Sequence, residues 1–154
     1  MSFLSMELEK EINQKNFRSE QQKGLVNIIF TYNWLKSHLT NHFKPFDITM
    51  QQFNVLRILN GQYPKPITTS VIRERMLDKM SDASRIVERL HKKGWVDRCK
   101  NNIDRRLVDV VITDNGRRLL QQIDASANDM DNMMRNLNKD EVEQLNHLLD
   151  KIRY

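Results

Sequence analysis

The apolar side chains between residues 25 and 43 recur at steps of three and four and predict one amphipathic helix. This helix is expected to end before Pro45, because proline disfavours the helical conformation of the residue that precedes it. Residues 5–23 carry only sparse apolar positions, a pattern that suits a helix which is frayed or depends on a partner.

A second helix is predicted from a capping box, in which Thr49 and Gln52 satisfy each other's free backbone amides. Gly61 is expected to end this helix in the left-handed conformation that glycine favours. The segment that follows, Tyr-Pro-Lys-Pro at 63–66, is predicted to be a rigid, extended connector.

Residues 68–92 predict two short helices with a tight turn between them, the layout of a helix-turn-helix. Either Thr68 or Thr69 can cap the first helix, and Ser81 is expected to cap the second. Gly94 follows the second helix and is expected to close it. On this helix the spacing places Ala83, Ile86, Val87 and Leu90 inward, and Asp82, Ser84, Arg85, Glu88, Arg89 and Lys92 outward.

A β-hairpin is predicted directly behind the second helix. Segments 95–100 and 106–112 have the composition of strands, and the residues between them favour a turn. The tip carries Asp104, Arg105 and Arg106. A helix followed at once by a hairpin with a basic tip is typical of a winged helix that binds duplex DNA.

Two helices are predicted at the carboxyl end of the chain. Thr113 caps the first, whose apolar period continues through Ala127 to Leu137. The second begins at a capping box of Asn138 and Glu141.

The terminal helices are too elongated to bury their apolar stripes alone, so we expect them to pack with each other and with a second copy of the chain. A monomeric helix bundle is the alternative. The predicted architecture is mainly α with a small β wing: a single domain, 1–154, with dimerisation helices at 5–44 and 113–154 and a winged helix-turn-helix at 48–112.

Charge is distributed unevenly along the chain. The net charge is +5, and residues 64–112 hold 12 Lys or Arg against 7 Asp or Glu, so the whole excess lies in the central third. Such a basic centre suits a polyanionic partner, although a merely solvated surface would look the same. No run of about 18 apolar residues suggests a membrane span, and the first residues do not resemble a signal peptide. The lone cysteine, Cys99, suits a reducing cytoplasm.

Residues 81–113 carry a specific resemblance. The pattern S-x-x-S-R-I-V-E-R-L-x-x-K-G-W-V-x-R, followed by D-R-R-x-x-x-V-x-I-T, resembles the MarR family of bacterial winged-helix transcription regulators over about residues 48–116. The resemblance implies a homodimer that binds a pseudo-palindromic operator and acts as a repressor. It also implies that a small anionic or phenolic ligand often releases the protein from DNA. One departure is that the turn 76–80 lacks the usual glycine, which leaves the first residue of the second helix open by one or two positions.

Site residues follow from position within this pattern. The resemblance implies that Ser84 and Arg85 contact bases or phosphates and that Arg105 or Arg106 enters the minor groove. An Asp beside the tip arginines can orient one guanidinium by a bidentate pair. The predicted DNA-binding residues are Thr69, Lys79, Ser81, Asp82, Ser84, Arg85, Arg89, Arg98, Arg105 and Arg106. The candidate ligand-lining residues are Trp34, His38 and Phe53.

Other chemistries find less support in the sequence. His38 and His42 have a spacing that can hold a metal, but no third ligand adjoins them, and we predict neither a metal nor a cofactor. Cys99 can act as a redox sensor only if its thiol is activated, and an inert strand cysteine is the simpler interpretation. No catalytic motif is visible, so an enzyme is not expected. Two alternatives to a DNA-binding regulator stay open: a winged helix whose basic face binds an acidic protein, and an enzyme whose site is assembled from scattered polar residues.

Overall fold

The computed structural model describes residues 7–126 and 130–153, and the chain divides into two units between Leu39 and Thr40. Residues 5–6, 127–129 and 154, which belong to the predicted dimerisation segments, lie outside the described residues, and so does Ala127 of the predicted apolar stripe.

The first unit contains a short helix, α1 (Leu8–Glu11), and most of α2 (Glu20–Phe43). The predicted helix over 25–43 is confirmed, and it begins five residues earlier than its apolar pattern. Within this unit an ion pair joins Lys23 to Glu9. Several apolar side chains of α2 are exposed, namely those of Leu25, Ile28, Ile29 and Tyr32.

The second unit is built around α3 (Met50–Asn60), whose Val55, Leu56 and Leu59 are fully buried. Its capping box is confirmed, with the Thr49 Oγ1 accepting from the Gln52 amide and the Gln52 Oε1 accepting from the Thr49 amide, each at 3.1 Å. Before it, α2 ends at Phe43 and a 3₁₀ turn over Lys44–Phe46 contains Pro45, as predicted.

Two predictions about the segment after α3 are wrong. Gly61 has φ −68° and not a left-handed conformation, because the chain does not reverse there. Hydrogen bonds from Gln62 to Leu59 and from Lys65 to Gln62 continue the segment as successive turns. Residues 63 and 64 belong to these turns, with a cis Tyr63–Pro64 peptide bond, and Lys65 forms a bend, so the segment is not the predicted extended connector.

Helices α4 (Thr69–Arg75) and α5 (Ala83–Lys92) form the predicted helix-turn-helix. Thr68, one of the two candidates, caps α4. The cap of α5 is Asp82 and not Ser81, since the Ser81 hydroxyl donates to the Asp78 carboxylate at 2.6 Å, whereas Asp82 accepts from the Arg85 amide at 3.1 Å. The outward face predicted for α5 is confirmed, and of the residues predicted inward Ala83, Val87 and Leu90 are buried and Ile86 is half-buried.

The wing is a three-stranded antiparallel sheet in the order β1 (Ile67–Thr68), β3 (Val108–Ile112), β2 (Val96–Lys100). The two predicted strands are present, whereas the sequence gives no signal for the two-residue β1. Gly94 has φ 71° and turns the chain from α5 into the sheet, as predicted.

Helix α6 (Asp114–Ala125) begins at the predicted cap, with Thr113 Oγ1 accepting from the Gly116 amide. Its predicted length is wrong. The helix ends at Ala125, where the amide and hydroxyl of Ser126 both turn back to the Ile123 carbonyl, at 3.0 and 2.8 Å, and compete with the next helical turn.

The last helix, α7 (Lys139–Ile152), starts at the predicted box of Asn138 and Glu141 and buries none of its residues. Residues 132–134 before it form a 3₁₀ turn rather than part of a long helix. Within the described residues, 7–126 and 130–153, no helix combines the length and the apolar character needed to cross a membrane.

Candidate nucleic-acid interface

The amino end of α5 presents a polar outer face on a firmly packed helix. Ala83, Val87 and Leu90 are buried in the core of the second unit, so the helix is fixed in place. The side chains of Ser84 and Arg85 are exposed, as those of Glu88, Arg89 and Lys92 are one and two turns further on. The first turn of α5 can therefore approach another surface without disturbing the fold.

Two grooves flank this first turn. One, of about 390 Å³, lies between α4 and α5 and is lined by Thr69, Ser70, Arg73, Lys79, Met80, Ser81, Asp82, Ala83 and Ser84. The other, of about 280 Å³, is lined by Thr49, Gln51, Gln52, Ser81, Asp82, Arg85, Ile86 and Arg89. Together they contain seven of the ten predicted DNA-binding residues. The remaining three, Arg98, Arg105 and Arg106, belong to the wing.

The charges of α5 are partly paired along its surface. Arg85 Nε lies 3.4 Å from the Asp82 carboxylate, and Lys92 Nζ lies 2.9 Å from Glu88. The hydrogen bond from Lys92 lowers the pKa of Glu88. All four side chains are at least half exposed, so these pairs are weak and can be exchanged for phosphate contacts.

Other cations near α5 remain uncommitted. Among the described residues, Arg73, Arg89 and Arg98 form no ion pair, and Lys79 donates only to the Glu74 carbonyl. Arg73 is an addition to the predicted set, which the sequence could have suggested because it lies one turn after Thr69 on α4. Positive charge is thus available on both sides of the α4–α5 turn.

The wing tip is held by side chains that cap its own backbone. Asn101 Oδ1 accepts from the amides of Ile103 and Asp104 at 2.9 Å each. The Asn101 amide group in turn donates to both carboxylate oxygens of Asp109, at 2.9 and 3.1 Å. Side chain–backbone bonds of this kind stabilise a tight turn, so the tip has a defined shape.

The two tip arginines differ. Arg106 donates from Nε and Nη2 to the two oxygens of Asp104, at 3.0 and 2.9 Å, which confirms the predicted bidentate pair. These bonds lower the pKa of Asp104 and raise that of Arg106. Arg105 is exposed, and among the described residues it forms no ion pair. One guanidinium is therefore fixed and the other is free.

The predicted ligand-lining residues fall in different units. In the first unit, the rings of Trp34 and His38 lie 4.2 Å apart, and His38 Nδ1 is 2.9 Å from the Trp34 carbonyl oxygen. In the second unit, the ring of Phe53 lies 4.7 Å from that of Phe43. A lining shared by these residues stays a prediction.

The burial of one imidazole nitrogen, that of His42, could not be predicted from the sequence. His42 Nε2 is buried and has no hydrogen-bond partner among the described residues. Its ring lies 5.3 Å from that of Phe43 and 6.1 Å from that of Phe46. The aromatic cluster around 42–46 is visible in the sequence, but nothing in it signals that the imidazole would lack a partner.

The structure bears on two further candidate chemistries, a metal site and a reactive thiol. Within residues 7–126 and 130–153, no group of three or more His, Cys, Asp or Glu side chains is placed to hold a metal ion. Cys99 is a free, exposed thiol on β2, opposite Asp109 in the strand register.

Known proteins are similar to this chain in sequence and in fold. The family model described as the MarR family matches residues 48–108. The multiple antibiotic resistance protein MarR of Salmonella typhimurium is 32% identical over 131 residues, which cover 83% of this chain and 90% of that protein. The crystal structure of a MarR mutant from Escherichia coli complexed with operator DNA has a TM-score of 0.72 and 29% identity, covering 95% of this chain and 98% of that one. The organohalide-sensing transcriptional regulator RdhR, in its 2,4-dichlorophenol-bound form, has a TM-score of 0.79 and 19% identity, covering 99% and 88%.

Proposed function

The chain belongs to the MarR family, and from this premise we propose that it is a transcription regulator that binds double-stranded DNA in a sequence-specific manner. The observation that carries the proposal is the first turn of α5, which is anchored by Val87 and Leu90 and leaves Ser84 and Arg85 exposed between two polar grooves. A helix presented in this way fits the major groove, with its amino-terminal residues at base edges.

Roles for individual residues follow from their settings. Arg85 can exchange its weak pair with Asp82 for a bidentate contact to guanine. Arg73, Lys79 and Arg89 supply phosphate contacts, which position the protein and make binding depend on salt. The proposal includes no catalytic step.

At the wing, Arg105 enters the minor groove, because its guanidinium has no ion pair among the described residues. Arg106 is held by Asp104 and braces the tip instead. A narrow, A·T-rich minor groove concentrates negative potential and attracts such an arginine.

The active form is a homodimer. Helix α7 buries no residue, although Leu148 and Ile152 continue its apolar stripe and are 48% and 61% exposed. A 14-residue helix gains little stability in water without a packing partner. Leu25, Ile29 and Tyr32 of α2 are exposed in the same way. Twofold pairing through these helices would carry two copies of α5 into successive major grooves, about 34–36 Å apart.

A small phenolic or anionic ligand releases the DNA. The buried, unpartnered His42 Nε2 among the rings of Phe43 and Phe46 offers one hydrogen-bonding atom in an aromatic setting, which suits a phenol. A ligand that prefers one spacing of the two α5 helices shifts the dimer away from the DNA-bound form. By this mechanism the protein acts as a repressor.

Selection of bound duplexes from a genomic DNA pool, followed by a salt titration, tests the proposal. We expect enrichment of a pseudo-palindrome with half-sites about one helical turn apart. Arg85→Ala should weaken the enrichment and relax it at one base pair of each half-site, whereas Arg118→Ala, which removes an exposed arginine from α6, should leave it unchanged. If the wild-type protein enriches no sequence and its binding only fades with salt, the alternative of an acidic protein partner takes the place of the regulator.

A further inference from the structure

Two methionines of the turn between α4 and α5 have opposite environments. Met76 is 1% exposed and packs in the core, whereas Met80 is 93% exposed. The fold therefore uses Met76 and gains almost nothing from the apolar side chain of Met80. A single exposed apolar residue is common on protein surfaces, so exposure alone does not indicate a function for Met80. The residues that surround Met80 do.

The backbone beneath Met80 is held in one conformation. The carboxylate of Asp78 accepts from the Met80 amide at 3.0 Å and from the Ser81 hydroxyl at 2.6 Å. The Ser81 amide donates to the Asp78 carbonyl at 3.3 Å. The first two bonds lower the pKa of Asp78. Met80 thus lies on a turn whose backbone conformation is fixed by hydrogen bonds.

Met80 lies at the proposed DNA surface. It lines the groove of about 390 Å³ between α4 and α5, immediately before the first turn of α5. The same groove is lined by the hydroxyl groups of Thr69 and Ser84 and by the cationic side chains of Arg73 and Lys79. These groups suit phosphates and polar base edges, which leaves the thioether of Met80 as an exposed apolar side chain within a polar groove.

The edge of a base pair in the major groove has one apolar feature, the 5-methyl group of thymine. A methionine side chain is flexible and polarisable, so it adapts well to such a group. We propose that Met80 contacts a thymine methyl in each half-site and so selects thymine at that position. This inference rests on the proposed DNA-binding function.

Uracil substitution isolates the contact, since it removes the methyl group and keeps the hydrogen-bonding pattern of the base. Each thymine of the selected operator is replaced by uracil in turn, symmetrically in both half-sites, and the dissociation constant of the full-length protein is measured by fluorescence anisotropy at fixed salt. For the wild type we expect a loss of about fourfold per half-site at one position, the effect of one buried methylene-sized group. Met80→Ala should bind the thymine and uracil operators equally.

Two variants and one control separate the contact from other effects. Met80→Leu keeps an apolar side chain and should keep the sensitivity to uracil, whereas Met80→Gln has similar length and should lose it. Leu77→Ala removes another exposed apolar side chain of the same turn and should leave the uracil profile unchanged. Because Met80 and Leu77 are both exposed, none of these changes should lower the melting temperature.

The outcomes distinguish this inference from the function on which it rests. Specific binding by the wild type with the same uracil profile in Met80→Ala overturns the role of Met80 alone. Absence of any sequence that the wild type selects overturns the proposed function and this inference together.

Discussion

Helices α5 and α7 begin in the same way and differ in what they leave exposed. Asp82 caps α5, and the box of Asn138 and Glu141 caps α7. Helix α5 buries three of its residues and exposes a polar, charged face, whereas α7 buries none and exposes apolar side chains. Local signals start a helix, but its stability comes mainly from packing. The exposed polar face of α5 suits a nucleic acid, and the exposed apolar stripe of α7 suits another protein chain.

The largest expected effect tests the apolar stripe of α7. Leu148→Asp should convert the homodimer into a monomer and raise its dissociation constant by more than about 100-fold, because an uncompensated buried charge costs about 3–5 kcal/mol. Sedimentation velocity over a range of protein concentrations measures the change. The neighbouring exposed position provides a control, since His147→Asp introduces the same charge beside the stripe. A Leu148→Asp protein that remains as dimeric as the wild type would contradict the role of α7.

The packed side of α5 is tested by the next largest effect. Leu90 is fully buried, so Leu90→Ala should lower the free energy of unfolding by about 2–5 kcal/mol through lost contacts and a cavity. Urea denaturation followed by circular dichroism measures this loss. The matched change in the other helix, Ile152→Ala, should cost far less when protein concentration is low enough to populate monomers. Equal losses in the two variants would remove the contrast between the helices.

The contrast between α5 and α7 also explains which parts of the fold can be predicted from the sequence. Capping boxes and helical spacing are local, so the starts of α3, α6 and α7 are predicted correctly. Exact helix boundaries are harder to predict, because they depend on competition between neighbouring hydrogen bonds. Ser126 stops α6 by turning back to Ile123, and Ser81 yields the cap of α5 to Asp82 because its hydroxyl is bound to Asp78. Neither choice is visible in the apolar pattern.

The candidate site shows the same division. The positions of Ser84, Arg85 and the tip arginines follow from the spacing and from the resemblance to the MarR family. The unpartnered nitrogen of His42 and the projection of Met80 depend on tertiary packing, which assigns one methionine of a turn to the core and the other to solvent. Helical spacing on α4 places Met76 inward, which the structure confirms, but it gives no indication for Met80.

The polar face of α5 is tested by DNA binding. Arg85→Ala should weaken binding to the selected operator by about 1–3 kcal/mol and relax selection at one base pair, because a bidentate contact to guanine is lost. Arg89→Ala should instead weaken binding to all sequences alike and reduce the dependence on salt by about one ion. Titrations at several salt concentrations, on the operator and on a scrambled duplex, separate the two effects. The assignment fails if both variants lose affinity on both duplexes equally.

The smallest expected effect concerns the wing, where Asp104 fixes Arg106 and leaves Arg105 free. Arg105→Ala should weaken operator binding more than Arg106→Ala, because only Arg105 is available to the minor groove. Asp104→Asn should change the dissociation constant by less than about threefold, since an exposed ion pair contributes little. The pKa of Asp104 is lowered, so its pair with Arg106 is present above the ordinary range of an aspartate and is lost only as the pH falls below that range. Titration of Asp104 should therefore cause no pH dependence of operator affinity between about pH 6 and 8 in the wild type. If Arg106→Ala proved the more damaging of the two arginine changes, the clamped guanidinium would be the one that reads the groove, and Asp104 would orient a DNA contact.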